Sequence, residues 1–215
     1  MPTLIIGNKA YSTWSLRAWL VCRAAGLECE EEMIALRRPD TAQNIRARVP
    51  SARIPALVDG GLMVWDSLAI AEYVAERAPE AGLWPADPAA RAVARAVTAE
   101  MHSGFASLRR TMPMDLKADH PGQGMTPETV ADIDRIAALW ADCRTRFGAG
   151  GPYLFGARFG IADAFYAPVA TRFATYAVDL PAEAAAVRDA LLAYPPMLEW
   201  RAEAQQEEAA KTRDG

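Results

Sequence analysis

The 215-residue chain is 52% hydrophobic and 23% charged, the composition of a soluble globular protein rather than a disordered one. Its 23 basic and 27 acidic residues leave a formal charge of −4, which argues against a nucleic-acid surface, since that needs clustered positive charge. No apolar run approaches a bilayer's thickness, and Met1–Gly7 shows no basic leader with a cleavage site, so a cytoplasmic protein without a membrane partner is expected.

Thr3–Gly7 is apolar and β-branched and reads as a strand, followed by a polar turn over Asn8–Ser12. Leu16, Trp19, Leu20 and Ala24 recur at helical spacing, which predicts a helix over Ser15–Ala25, closed by Gly26 in a left-handed position. Glu30–Leu36 reads as a second strand, and Asp40–Arg48 as a short helix with Asp40 at its N-cap. Ala56–Asp59, the Gly60-Gly61 turn and Leu62–Trp65 predict a hairpin. Asp66 then opens a helix whose apolar face carries Ile70, Tyr73 and Val74.

Pro79, Gly82, Pro85 and Pro88 punctuate a linker, and no strand signal follows them. Val93, Val97, Met101, Phe105 and Leu108 keep one stripe and predict a single long helix. Val130, Ile133, Ile136, Ala137 and Trp140 do the same for a second, after a loop over His120–Thr126. Further helices are expected after Gly160, over Glu183–Ala193 and over Met197–Ala209. The pattern therefore predicts an α/β domain over residues 1–79 and an all-helical domain over residues 88–215.

Several kinds of chemistry have no support. The chain has two histidines, His102 and His120, and lacks the GxSxG, HExxH and P-loop motifs. Cys22, Cys29 and Cys143 form no CxxC pair, so free thiols are expected, with neither a disulfide framework nor a metal site. Gly148–Gly151 precedes Pro152 and opens no helix, which makes it a loop rather than a phosphate cradle.

The informative stretch is Asn8-Lys9-Ala10-Tyr11-Ser12-Thr13-Trp14-Ser15-Leu16-Arg17, between the first strand and the first helix. Serine cannot exchange disulfides, so a thiol acting here must come from a bound molecule. A hydroxyl that donates to sulfur beside the positive end of a helix favours the thiolate. The plain alternative is that Ser12 or Ser15 caps the helix. Two further segments matter. Val49–Leu57 holds an Ile54-Pro55 pair ahead of the hairpin, with Asp66-Ser67 just after it, and Phe159–Pro168 carries Gly160-Ile161-Ala162-Asp163.

Taken in order, these three segments resemble the cytosolic glutathione transferase superfamily, in its serine-type, zeta- or phi-like form. The resemblance runs from Thr3 to about Trp200. It implies a thioredoxin-like domain followed by the family's helical domain, with glutathione as co-substrate and no metal. Pro55 is expected to be cis, with the Ile54 backbone pairing with the cysteinyl part of glutathione. Asp66 and Ser67 are expected to take the γ-glutamyl group, and Arg53 the glycine carboxylate, with Arg37 and Arg38 as alternatives. Gly160 stands where the family's capping box has a hydroxyl, and Asp163 is expected to be structural. Ser12 is the first candidate for the thiol-activating hydroxyl, Thr13 and Ser15 the reserves, and Tyr11 a fourth. Met101, His102 and Phe105 are candidates for the second-substrate pocket, although Met101 and Phe105 also fall on the core stripe. The implied function is transfer of glutathione to a small hydrophobic electrophile, a detoxification chemistry, by a homodimer. A glutathione-dependent isomerase of the maleylacetoacetate isomerase kind and a non-catalytic binding module are the alternatives.

Overall fold

In a computed structural model, residues 1–207 are described. The first strand, β1 (Thr3–Gly7), pairs in parallel with β2 (Glu30–Ile34) and antiparallel with β3 (Ala56–Asp59). β3 forms a hairpin with β4 (Leu62–Val64), giving the order β2-β1-β3-β4. Because strand side chains alternate, β1 divides the core. Leu4 and Ile6 join the main apolar cluster, whereas Ile5 packs with Ile34, Val49 and Ala56 in a second one.

Helix α1 (Thr13–Ala24) starts two residues before the predicted Ser15, because Ser12 is the N-cap. Gly26 follows with φ +67°, a conformation that glycine adopts without strain. β2 ends before Leu36, whose N–H turns to the Asn8 side-chain oxygen at 2.6 Å. Helix α2 (Thr41–Arg48) has Asp40 at its N-cap, yet that carboxylate accepts from Asn44 Nδ2 instead of a backbone N–H. Helix α3 (Ser67–Arg77) completes a thioredoxin-like domain.

After a 3-10 turn at Pro79–Ala81 the chain is helical: α4 (Pro88–Ser103), α5 (Ala106–Thr111), α6 (Pro127–Phe147), α7 (Ile161–Thr175), α8 (Ala182–Ala193) and α9 (Pro195–Gln206). The predicted long helix through Leu108 breaks in two. Gly104 is extended and Phe105 is left-handed at φ +58°, so the chain turns while Phe105 stays buried. Arg109 compensates by donating to the carbonyls of Gly104 and Met101 that the break leaves open. Val130, expected on the apolar stripe of α6, is exposed.

Helix α7 is the axis of the helical domain, with every residue from Ile161 to Phe173 buried. It packs on α1, α4 and α8, so the main apolar cluster runs continuously through both domains. The box at its start holds without a hydroxyl. Asp163 Oδ2 accepts from Gly160 N at 2.9 Å, and Oδ1 accepts from Leu154 N at 3.0 Å. A Cβ at Gly160 would stand 2.7 Å from the Leu83 carbonyl oxygen, which accepts from Ile161 N. The linker thus occupies the space that a serine or threonine would need. The predicted limits at residue 215 and Ala209 lie outside the described residues.

Candidate functional site

The loop between β1 and α1 is built around Ser15. Its buried Oγ accepts from Gly7 N at 3.0 Å and from the Ser12 hydroxyl at 2.7 Å, and Ser15 N donates back to Ser12 Oγ at 3.4 Å. Ser15 therefore ties the end of the central strand to the start of the helix. Ser12 and Thr13 are each 7% exposed at the N-terminus of α1, where the helix dipole favours an anion. The Tyr11 ring lies under the Arg37 guanidinium at 3.9 Å, which engages both of those side chains. From below, Glu207 accepts from the N–H groups of Lys9 and Ala10, and Trp200 Nε1 donates to Lys9 O at 2.9 Å.

Across from this loop, the Ile54-Pro55 peptide bond is cis and leads directly into β3. Asp66 caps α3 by accepting from Leu68 N at 2.9 Å on Oδ1, and its Oδ2 lies 3.2 Å from His102 Nε2. Ser67 is fully buried, and its Oγ has no hydrogen-bond partner among the described residues. Buried hydroxyls are nearly always paired, so this one, at a helix N-terminus, suits a ligand oxygen.

Trp14, Ile54, Pro55, Asp66 and His102 line a cavity of about 540 Å3 between the two domains, and Arg53 and Ser103 complete it. Of the residues proposed for a second substrate, His102 reaches this cavity, while Met101 and Phe105 are buried in the main core. Arg37 and Arg38 are exposed and stand outside that lining. A second cavity of about 530 Å3 lies beneath the linker, walled by Leu83, Trp84, Phe147 and Phe155, and includes none of the predicted site residues.

Burial lowers the His102 pKa, with Arg17 and Arg109 acting in the same direction and Asp66 opposing them, so the imidazole is held neutral near pH 7. Its ring meets Trp14 edge-on at 5.2 Å. Trp14 and Ser103 were not singled out from the sequence, nor was Arg17 as a functional group. The spacing of Trp14 and Arg17, three apart on a helix, was the available signal, because such residues share a face. In the fold the Arg17 guanidinium stacks over the Trp14 ring at 4.4 Å.

Comparison with known proteins agrees with the fold. Residues 11–77 match the family described as "Glutathione S-transferase, N-terminal domain", and residues 91–203 match "Glutathione S-transferase, C-terminal domain". The chain is 35% identical over 96 residues to glutathione S-transferase D7 of Drosophila melanogaster, covering 43% of each protein. It is 29% identical over 115 residues to a probable maleylacetoacetate isomerase of Caenorhabditis elegans, covering 54% of this chain and 53% of that one. The aligned region thus spans about half the length of these relatives. A glutathione transferase homologue from Burkholderia, solved with bound glutathione, superposes with a TM-score of 0.72 at 22% identity, covering 96% of this chain and 99% of that one. Among the described residues no helix is long and apolar enough to cross a membrane. With both of its domains matched in order, the chain belongs to the glutathione S-transferase family.

Proposed function

We propose that the protein binds glutathione along Arg53, Ile54, Pro55, Asp66 and Ser67, and that the Ser12 hydroxyl stabilises its thiolate for attack on an electrophile in the interdomain cavity. The observation that carries this reading is the buried, unpartnered Ser67 hydroxyl at the N-terminus of α3, beside Asp66 and the cis Ile54-Pro55 bond. The N–H groups at that helix end and Ser67 suit the γ-glutamyl carboxylate, while Asp66 suits the ammonium. Ser12 becomes a thiol donor by turning its proton away from Ser15 Oγ, 2.7 Å away, toward the sulfur. Ser15 is a positioning residue in this scheme, and Thr13 the remaining alternative to Ser12. The site needs no metal.

A second reading, isomerisation with glutathione recovered unchanged, is favoured by the similarity to the nematode probable maleylacetoacetate isomerase. A homodimer belongs to either reading. Leu62 and Trp65, 51% and 45% exposed at the start of β4 and just after it, supply apolar surface for it, and sedimentation at micromolar concentration checks it.

The deciding experiment titrates the thiol of bound glutathione by thiolate absorbance in wild type and Ser12→Ala, alongside conjugation of an aromatic halide. A lowered thiol pKa that rises in the variant is expected, with turnover falling by ~10²–10³, the usual cost of losing one donor to a developing anion. A thiol titrating at its free value in wild type, with no turnover, would leave the non-catalytic binding module as the correct reading.

A further inference from the structure

Arg17, in the second turn of α1, is 0% exposed, and its Nε, Nη1 and Nη2 have no hydrogen-bond partner among the described residues. Its guanidinium lies over Trp14 at 4.4 Å and Phe165 at 5.0 Å, two rings that offer π-faces but no acceptor oxygen. Two more cations stand close by. Arg109 lies over the same Trp14 ring at 5.0 Å, and Arg172 is buried in α7. Both of these are engaged, Arg109 by the carbonyls of Gly104 and Met101, and Arg172 by those of Met112 and Pro168.

Asp66 is the carboxylate that acts on Arg17, but its oxygens already face Leu68 N and His102 Nε2. Burial first, and then Arg109 and Arg172, hold the Arg17 pKa well below its ordinary value, as expected of a cation without an anion. His102 Nδ1 likewise has no partner among the described residues, but in a neutral ring whose Nε2 faces Asp66 it is an acceptor and offers an anion nothing. A guanidinium with three idle nitrogens in an apolar setting is among the costliest groups a fold can bury. The planar fork is also the side chain best matched to a carboxylate.

We propose that Arg17 receives a carboxylate of the second substrate, so that this site takes acceptors carrying an organic anion in preference to neutral apolar ones. The assignment rests on the reading above, in which glutathione occupies the Ile54–Ser67 side of the cavity. Glutathione's own carboxylates are the other source of the same chemistry. Under that reading Ser67 and Arg53 take them, whereas Arg17 faces α7 through Phe165. Arg17 stands outside the cavity's lining, behind Trp14, so the Trp14 and His102 rings, edge-to-face at 5.2 Å, must part for the anion to reach it.

Thermal-shift titrations of wild type, Arg17→Met and Arg17→Gln, with succinate, glutathione and glutathione diethyl ester as separate probes, test this. Methionine keeps the aliphatic stem and removes the unpaired charge, so this variant is expected to melt no lower than wild type. Succinate should stabilise wild type saturably, with and without glutathione, and bind at least ~30-fold more weakly to both variants, the usual effect of removing one partner of a buried charge pair. Glutathione should stabilise all three proteins. No succinate shift in wild type, or an equal shift in the variants, overturns the proposal. It is equally overturned if the variants lose the glutathione shift and wild type responds to glutathione but not to its diester, since Arg17 then serves glutathione itself. Failure of glutathione to stabilise wild type sinks the cradle reading instead, and the succinate arm still reads Arg17.

Discussion

His102 Nε2 and Asp66 Oδ2 lie 3.2 Å apart, and this contact joins the end of α4 to the N-cap of α3 across the domain boundary. Asp66 therefore serves a helix cap, an interdomain contact and the cavity wall at once. Two opposing effects meet at His102, since burial lowers its pKa while Asp66 raises it.

The first prediction separates them. Asp66→Asn keeps a good N-cap but removes the charge, so the His102 pKa should fall further below the ordinary value of about 6.5. The chain has only two histidines, so an NMR pH titration can assign both. A His102 pKa that rises in the variant would show that the carboxylate does not govern the imidazole.

Ser15 gives the second. Ser15→Ala leaves the Gly7 N–H without its buried acceptor and frees Ser12 from its anchor. The expected loss is about 1–3 kcal/mol in urea unfolding, the cost of orphaning a buried donor. Ser12→Ala removes a cap and should cost about 1 kcal/mol. Activity ranks the other way, with Ser12→Ala the more damaging. Equal loss of turnover in both variants at equal stability would contradict the assignment of Ser15 to positioning.

These serines show what the sequence could and could not reveal. Ser12 and Ser15 were legible as a pair because their spacing is local, and the helix start forces them together. Both are buried, and which of them anchors the strand depends on Gly7 N, a partner supplied by the neighbouring strand. The same limit explains the break at Gly104-Phe105. The apolar stripe continues through it unbroken, and only the left-handed Phe105 and the carbonyl contacts of Arg109 reveal the turn. Arg17 was hidden for a related reason. An arginine in a helix reads as a solvated face until the packing of α7 on α1 buries it.

A third prediction concerns pH. Asp163 is fully buried, and desolvation raises its pKa to about 6, partly offset by the N–H groups of Leu154 and Gly160. The folded value lies above the unfolded one of about 3.9, so the native state holds the proton longer. Its contribution is fully present below pH ~4 and declines as pH rises through about 6, by on the order of 3 kcal/mol. Asp163→Asn should flatten that part of the stability curve, measured as the urea midpoint between pH 4 and 7. An undiminished slope in the variant would assign the effect to another group.

The last prediction turns on Gly160. The family's usual box has a hydroxyl here, so Gly160→Ser would ordinarily be a stabilising repair, worth about 1 kcal/mol for a restored N-cap. This fold reverses the sign. A Cβ at position 160 would come within 2.7 Å of the Leu83 carbonyl oxygen, and that oxygen belongs to backbone rather than to a flexible side chain. The backbone itself is ordinary there, with φ −122°, so the whole penalty is steric. Relieving it moves the linker away from α7 and stretches the Ile161 N bond to Leu83 O, now 3.1 Å. Overpacking of this kind costs about 1–3 kcal/mol, which exceeds the gain from a new cap. Gly160→Ser and Gly160→Ala should both lower the melting temperature, with serine the milder of the two because its hydroxyl recovers part of the loss. A serine variant that melts above wild type would show that the linker yields freely, and that the missing hydroxyl was the greater deficit.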